Sequence, residues 1–326
     1  MLIDRHQRVH NYLRISLTDS CNFRCQYCMP DKYISCLPNK QLMQPDEIEE
    51  IARTFVNLGV KKIRLTGGEP LVRKEFATIL KAISHLPIEI TVTTNALLIH
   101  KYLNEILDSG IRTVNVSLDT LNSETFLKIT KRDQFKQVWD NILLMLKHGL
   151  SIKVNVVAIS GIVEKELVDF IELTKELPLH IRFIEFMPFE GNHWESKKVI
   201  TAHDLIESIN DKFDFVKLKD QPHATAKKYK VLGYSGTFAF ITTMSEHFCG
   251  DCNRMRLTAD GKLKNCLFGK EEIDLLTALR QGRDLKPLIK QSIMNKHSVM
   301  GGQFKEHFQN TNPIEIENRS MLKIGG

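Results

Sequence analysis

Residues 13–28 read Leu13-Arg14-Ile15-Ser16-Leu17-Thr18-Asp19-Ser20-Cys21-Asn22-Phe23-Arg24-Cys25-Gln26-Tyr27-Cys28. The stretch divides in two. Leu13–Thr18 alternates apolar and polar side chains, the period of a strand with two unlike faces. Three cysteines then follow within eight residues of loop. Five further runs resemble the first: Lys62–Thr66, Glu89–Thr94, Thr113–Asp119, Ile152–Ala158 and Ile181–Met187. Amphipathic segments of helical period lie between them. One starts at Pro45-Asp46 and stops before Gly59, and another runs from Trp139 to His148 and stops at Gly149, with proline early and glycine late as helices favour.

Six strand–helix units in this order predict a parallel sheet. Parallel strands covered by helices are ordinarily apolar on both faces. These keep one polar face: Arg14, Ser16 and Thr18; Arg64 and Thr66; Thr91, Thr93 and Asn95; Asn115, Ser117 and Asp119; Lys153 and Asn155. That face must look into a wet or ligand-filled interior. The expected fold is therefore α/β, a partial (β/α)6 TIM-like barrel with a polar lumen. An antiparallel sheet with one solvent face is the alternative, and the intervening helices suit it poorly. After Thr201 the pattern changes. Lys227–Val231 and Thr237–Thr242 read as a hairpin around Gly233–Gly236, and a weakly patterned tail follows. A soft boundary near residue 220 divides a barrel, 1–220, from a C-terminal region, 221–326.

The chain has 326 residues, 42% of them hydrophobic and 26% charged, which excludes disordered and fibrous classes. No run is apolar enough for a membrane helix. Met1–His10 has no apolar signal core, so the expected location is the cytoplasm, with no membrane partner. A formal charge of +6 suits an anionic small molecule and does not argue for nucleic acid. Seven cysteines in such a compartment are thiols or metal ligands.

Cys21, Cys25 and Cys28 form C-x3-C-x2-C directly after the first strand. Three thiolates can hold a 4Fe–4S cluster with one iron left open to a ligand, whereas closed clusters take four cysteines. Zinc, or a cluster closed by Cys36, is the alternative; zinc sites usually pair C-x2-C with a second pair. Cys36 is otherwise read as a small buried hydrophobe. Thr66-Gly67-Gly68-Glu69-Pro70 follows the second strand, and glycines there let backbone approach a ligand closely. With these residues the chain resembles the radical S-adenosylmethionine enzymes. The resemblance implies that Cys21, Cys25 and Cys28 ligate a catalytic cluster. It also implies that Tyr27, Gly68, Ser117 and Met187 contact S-adenosylmethionine.

Cys249, Cys252 and Cys266 form a second three-cysteine group, C-x2-C-x13-C. On spacing alone it is open between a zinc site completed by His247 and an open cluster. Arg254 and Arg256 follow at i and i+2, one face of a strand, and guanidinium forks suit phosphate. The segment from Phe248 to Leu267 and the terminal Gly325-Gly326 resemble the GTP 3′,8-cyclase branch of the same family, which acts in molybdenum cofactor biosynthesis.

That resemblance implies two 4Fe–4S clusters, the second on Cys249, Cys252 and Cys266, with GTP and S-adenosylmethionine bound between them. Arg14, Arg64, Thr93, Lys153, Arg254 and Arg256 are the implied GTP contacts, the two last also counted as catalytic. The implied reaction begins with a 5′-deoxyadenosyl radical taking hydrogen from C3′ of GTP, and ends in 3′,8-cyclo-7,8-dihydro-GTP. The implied partners are a flavodoxin- or ferredoxin-like electron donor and a downstream cyclic pyranopterin monophosphate synthase; the chain itself would be a monomer or homodimer. One departure from the family pattern stands out: Ala96 occupies a position where glycine is usual. Two rival readings remain, a radical enzyme modifying a peptide and a zinc-stabilised binding module.

Overall fold

The computed structural model describes residues 1–28, 36–304 and 307–325. Strands β1 (Tyr12–Ser16), β2 (Lys62–Thr66), β3 (Glu89–Thr94), β4 (Thr113–Ser117), β5 (Ser151–Ala158) and β6 (His180–Glu185) pair in sequence order, and every pairing is parallel. The antiparallel alternative is thereby excluded. Helices α1 (Pro45–Asn57), α2 (Phe76–Ser84), α3 (Leu103–Asp108), α4 (Ser123–Thr130), α5 (Phe135–Lys147) and α6 (Leu167–Glu176) form the crossovers. Helix α1 shows why its ends fall where they do. Gln44 and Glu47 form a reciprocal capping box, which satisfies two otherwise unpaired N–H groups. Gly59, at φ 100°, then takes the chain out of the helix.

The two strand faces differ as the alternation requires. Leu13, Ile15, Ile63, Leu65, Val92, Val114, Val116, Ile152, Val154, Ile181 and Phe183 point outward and are buried against the helices, including Ile48, Ile51 and Phe55 of α1. The opposite parity forms the lumen. Arg14 lies level with Arg64, and Arg64 with Thr91. Thr93 lies level with Asn115, and Asn115 with Lys153.

The C-terminal third extends this sheet at both edges. Helix α7 (Ala202–Asn210) leads to β7 (Phe215–Lys217), β8 (Lys227–Val231) and β9 (Thr237–Ile241). β9 adds parallel to β6, and β8 and β7 follow antiparallel. Strands β10 (Arg254–Leu257), β11 (Lys262–Lys264) and β12 (Ile273–Asp274) take the other edge, with β10 parallel to β1. The order is β12-β11-β10-β1-β2-β3-β4-β5-β6-β9-β8-β7. The parallel part is therefore wider than the six strands expected, since β9 and β10 join it. Helices α8 (Leu275–Arg280) and α9 (Leu285–Met294) cover the β10 side, and a last short helix, α10 (Met321–Ile324), enters the lumen. No helix among the described residues is long and apolar enough to cross a membrane.

Cys36 corrects an expectation. It is exposed, in irregular backbone ahead of a short turn at Asn39–Gln41; no regular element carries it into the core. The neighbouring Leu37 N–H is tied to Asp19 Oδ2 at 2.9 Å. Ala96, by contrast, is fully buried with φ 62°. The chain takes the left-handed turn that glycine would favour and accepts the strain, about 1–2 kcal/mol for an L-residue.

Candidate active site

β1 and β10 run parallel, with Tyr12 level with Arg254. Cys252 precedes β10 while Cys21 follows β1, so the two cysteine groups sit at opposite ends of one lumen. The separation is set by strand length, roughly 17 Å for five residues.

At the C-terminal end of the strands, Cys21, Cys25, Cys28, Tyr27, Gly68, Thr93, Ser117 and Met187 line a single open cavity. Every cofactor-binding residue expected from the sequence is there. The glycine pair has a steric reason. A side chain on Gly67 would meet the Thr18 carbonyl at 2.7 Å, and one on Gly68 would meet the Ser20 backbone and, at 2.8 Å, Leu322. Gly68 N–H donates to Thr18 O at 2.7 Å and Glu69 N–H to Ser20 O at 2.8 Å, which welds the loop after β2 to the loop that carries the cysteines.

Two carboxylates here had no assigned role. Glu69 is buried and accepts from Thr94 Oγ1 and Asn95 N–H, each at 2.7 Å, and from Leu71 N–H at 3.0 Å. Burial raises it to about 7. Asp119 accepts from the Tyr27 hydroxyl and from Val157 N–H at 2.9 Å, and burial raises it to about 6. Glu69 fixes the β2 and β3 ends against each other, and Asp119 fixes Tyr27 over the cavity.

The three thiols fit a polynuclear metal group. Burial and the Glu69 charge push Cys21 up to about 12, and burial and the neighbouring sulfurs push Cys25 and Cys28 well up. Such a set needs a compensating cation. Among the described residues no three cysteine sulfurs lie mutually within 4.8 Å, whereas a tetrahedral zinc holds its sulfurs about 3.8 Å apart.

The other end is cationic. The guanidiniums of Arg14 and Arg64 lie 5.6 and 5.5 Å from the centre of the Tyr12 ring, and the Lys62 ammonium 5.6 Å from it. Burial, then Arg182 and Lys62, bring Lys153 down to about 8. Burial and Arg14 depress Arg256 strongly. Arg182 was not foreseen. It sits on β6 level with Asn155, donates to Asn115 Oδ1, and is depressed by burial and then by Arg64 and Arg14. Its place between Ile181 and Phe183 is the same signal that flags Arg14 and Arg64, and Ile184 obscured it by breaking the alternation. The buried side-chain atoms without partners include Tyr12 Oη, Arg14 Nε, Arg64 Nε, Thr93 Oγ1, Asn155 Oδ1 and Arg182 Nε. All six are on the lumen face. Buried polar groups are ordinarily satisfied; five of the six can donate, which suits an anion, while Asn155 Oδ1 accepts and calls for a donor.

Cys249, Cys252 and Cys266 are half-buried around the N-terminal end of β10. Burial pushes Cys252 up, but Arg254 and Lys296 outweigh it and bring the thiol to about 6. Met300 N–H donates to Cys249 Sγ at 3.4 Å and Arg254 to Cys252 Sγ at 3.6 Å. Burial pushes the Cys249 thiol up, so within this group the neighbouring cations draw Cys252 toward the thiolate that a metal group takes. His247 is exposed and, among the described residues, forms no close ligand set with these cysteines.

The C-terminal tail lies between the two ends. Leu322 packs on Gly68, Gly325 packs on Ser16 and Thr66, and Arg256 donates to Gly325 O. Gly326 lies outside the described residues.

A barrel of this kind with a cysteine triad after β1 is that of the radical S-adenosylmethionine superfamily, and residues 15–174 match that superfamily. Residues 179–301 match Molybdenum Cofactor Synthesis C. The fold is shared with Streptococcus suis SuiB, solved bound to S-adenosylmethionine: TM-score 0.59, 16% identity, 96% of this chain and 73% of that one. The chain is 42% identical over 334 residues to the GTP 3′,8-cyclase of Desulforamulus reducens, covering 100% of both. It is 41% identical over 327 residues to molybdenum cofactor biosynthesis protein 1 of Homo sapiens, covering 99% of this chain and 51% of that protein. It spans about half the length of several such relatives. The chain belongs to the GTP 3′,8-cyclase family of radical S-adenosylmethionine enzymes. Membership brings with it S-adenosylmethionine and one 4Fe–4S cluster.

Proposed function

We propose that this chain cyclises GTP, joining ribose C3′ to guanine C8 to give 3′,8-cyclo-7,8-dihydro-GTP, the first step of molybdenum cofactor biosynthesis. The observation that carries the reading is the row of unsatisfied cationic and hydroxyl groups in the lumen, facing the cavity that holds the first cysteine triad.

Cys21, Cys25 and Cys28 hold the catalytic 4Fe–4S cluster, and Tyr27, Gly68, Ser117 and Met187 hold S-adenosylmethionine. When bound, this pair supplies a 5′-deoxyadenosyl radical. Arg14, Arg64, Lys153 and Arg182 grip the triphosphate. Thr93 stands at the boundary between cofactor and substrate. Cys249, Cys252 and Cys266 hold a second 4Fe–4S cluster, with Arg254 and Arg256 beside it at the guanine end. Gripping the nucleotide at both ends restricts it to reactive conformers. The buried lumen keeps water and stray hydrogen donors away from a reactive carbon centre.

Residues 1–220 carry the radical chemistry in this reading, and residues 221–326 close the substrate end. A one-electron donor of the flavodoxin or ferredoxin class and a consuming cyclic pyranopterin monophosphate synthase complete it, in the cytoplasm. A peptide-modifying enzyme has no use for so many inward cations, although the fold alone would permit one. The test is differential binding. R64A and R182A should weaken GTP by about 30-fold or more, as removal of one partner from a desolvated charge pair does, and leave S-adenosylmethionine affinity within a factor of two or so. Equal losses for both ligands would defeat the reading.

A further inference from the structure

Four charged or ionisable side chains of the lower half are almost fully buried and lie outside the lumen: Asp4, Arg8, His10 and Lys296. Burying ions is costly unless each is partnered, and here the partners form one chain of contacts. Asp4 Oδ2 accepts from Arg8 Nε at 2.7 Å and faces His10 Nε2 at 3.0 Å. That contact makes Nε2 the protonated nitrogen of a neutral imidazole, and leaves Nδ1 as an acceptor. Lys296 Nζ stands 3.5 Å from His10 Nδ1. The same ammonium donates to Arg254 O at 2.9 Å and points at Cys252 Sγ at 3.5 Å. Arg8 forms the second arm. Its guanidinium donates to Cys249 O, Ser298 O and His297 O, each at 2.8 Å. Both arms start at Asp4, in a segment closed by the Ile3–Val9 bridge, and both end on the 249–252 turn.

We infer that Asp4 and His10 are positioning residues that hold the Lys296 ammonium on the Cys252 sulfur, and that this charge sets the reduction potential of the metal group bound by Cys249, Cys252 and Cys266. The inference rests on the reading that this triad holds a cluster. An N–H donor and a positive charge at a ligand sulfur stabilise the reduced, more negative cluster and raise its potential. Asp4 serves both arms at once: it orients His10 from behind and fixes Arg8, which anchors the carbonyl of Cys249. Three of the ammonium's directions are thereby occupied, by Arg254 O, His10 and the sulfur, and its position is determined.

The test is an EPR-monitored redox titration of the reconstituted full chain carrying C21S, C25S and C28S, so that only the second triad reports. Iron content comes first, with about four irons per chain expected for one cluster. An iron-free chain removes the reading on which the inference rests, and the inference with it. With iron bound, Lys296→Met should move the midpoint to more negative potential, and Lys296→Arg should retain most of the original value. His10→Asn, too short to span Asp4 and Lys296, should shift it the same way by less. Unchanged midpoints in Lys296→Met and His10→Asn would overturn the inference. Should Lys296→Met fail to fold, His10→Asn decides alone. A merely structural brace would lower thermal stability without moving the potential.

Discussion

Lys153 makes a pH-dependence that can be worked out in advance. In the GTP-free protein, burial and then the charges of Arg182, Lys62 and Arg64 bring its ammonium from 10.5 to about 8. A bound triphosphate reverses the second cause, because an anion beside the ammonium favours its charged form. Binding above pH 8 must therefore take up a proton. At pH 9 about one Lys153 in ten is charged before binding, so affinity for GTP falls about tenfold between pH 7 and pH 9, or about 1.4 kcal/mol. The sign for stability is the opposite. A cation depressed in the folded state destabilises the GTP-free protein below about pH 8, and that cost lifts as pH rises towards 10.5. The assay is calorimetric titration of the protein with GTP at several pH values, in buffers of different ionisation enthalpy, to count protons taken up. Lys153→Arg should bind at pH 7 and lose the slope, and Lys153→Met should bind weakly at every pH. A slope that survives in Lys153→Met would refute the assignment of the proton to this residue.

Other expectations follow from packing. Gly68→Ala, whose methyl would strike the Ser20 backbone and Leu322, should cost about 1–3 kcal/mol in urea unfolding; an unchanged midpoint would contradict the close approach. Phe240→Ala removes a ring stacked on Phe183 at 5.6 Å, across the β6–β9 pairing, and should cost about 3–5 kcal/mol within one cooperative transition. A separate early transition would mean that β7–β9 fold apart from the barrel. Arg319 forks onto Asp260 at 2.8 and 3.0 Å and onto Glu272, just before the tail. Arg319→Ala should speed hydrogen exchange at Lys323–Gly325 and leave β1–β6 protected; no change there would show the fork to be irrelevant to the tail.

The barrel was legible because its strands alternate. A polar side chain at every second position of a parallel strand has no place in a helix-covered sheet unless it faces a lumen, and Arg14, Arg64, Asn115 and Lys153 all do. The cysteine groups were legible from spacing. Less was visible where contacts join distant parts of the chain. β9 and β10 enlarge the parallel sheet from the C-terminal third, and no local pattern announces which edge a strand will join. Arg182 was hidden by one apolar residue out of phase. Lys296 meets His10 across 286 positions of chain, and Asp4, His10 and Lys296 each alone read as an ordinary surface charge. Cys36 misled because a lone cysteine is usually buried, while this one lies exposed in irregular backbone.

The most direct test of the central claim is an anaerobic turnover measurement. The reconstituted protein is given S-adenosylmethionine and a reductant, and 5′-deoxyadenosine is quantified with and without GTP. The account predicts strong stimulation by GTP, with a cyclised nucleotide formed in matching amount. Cleavage of S-adenosylmethionine that is indifferent to GTP, with no cyclised nucleotide, would contradict it.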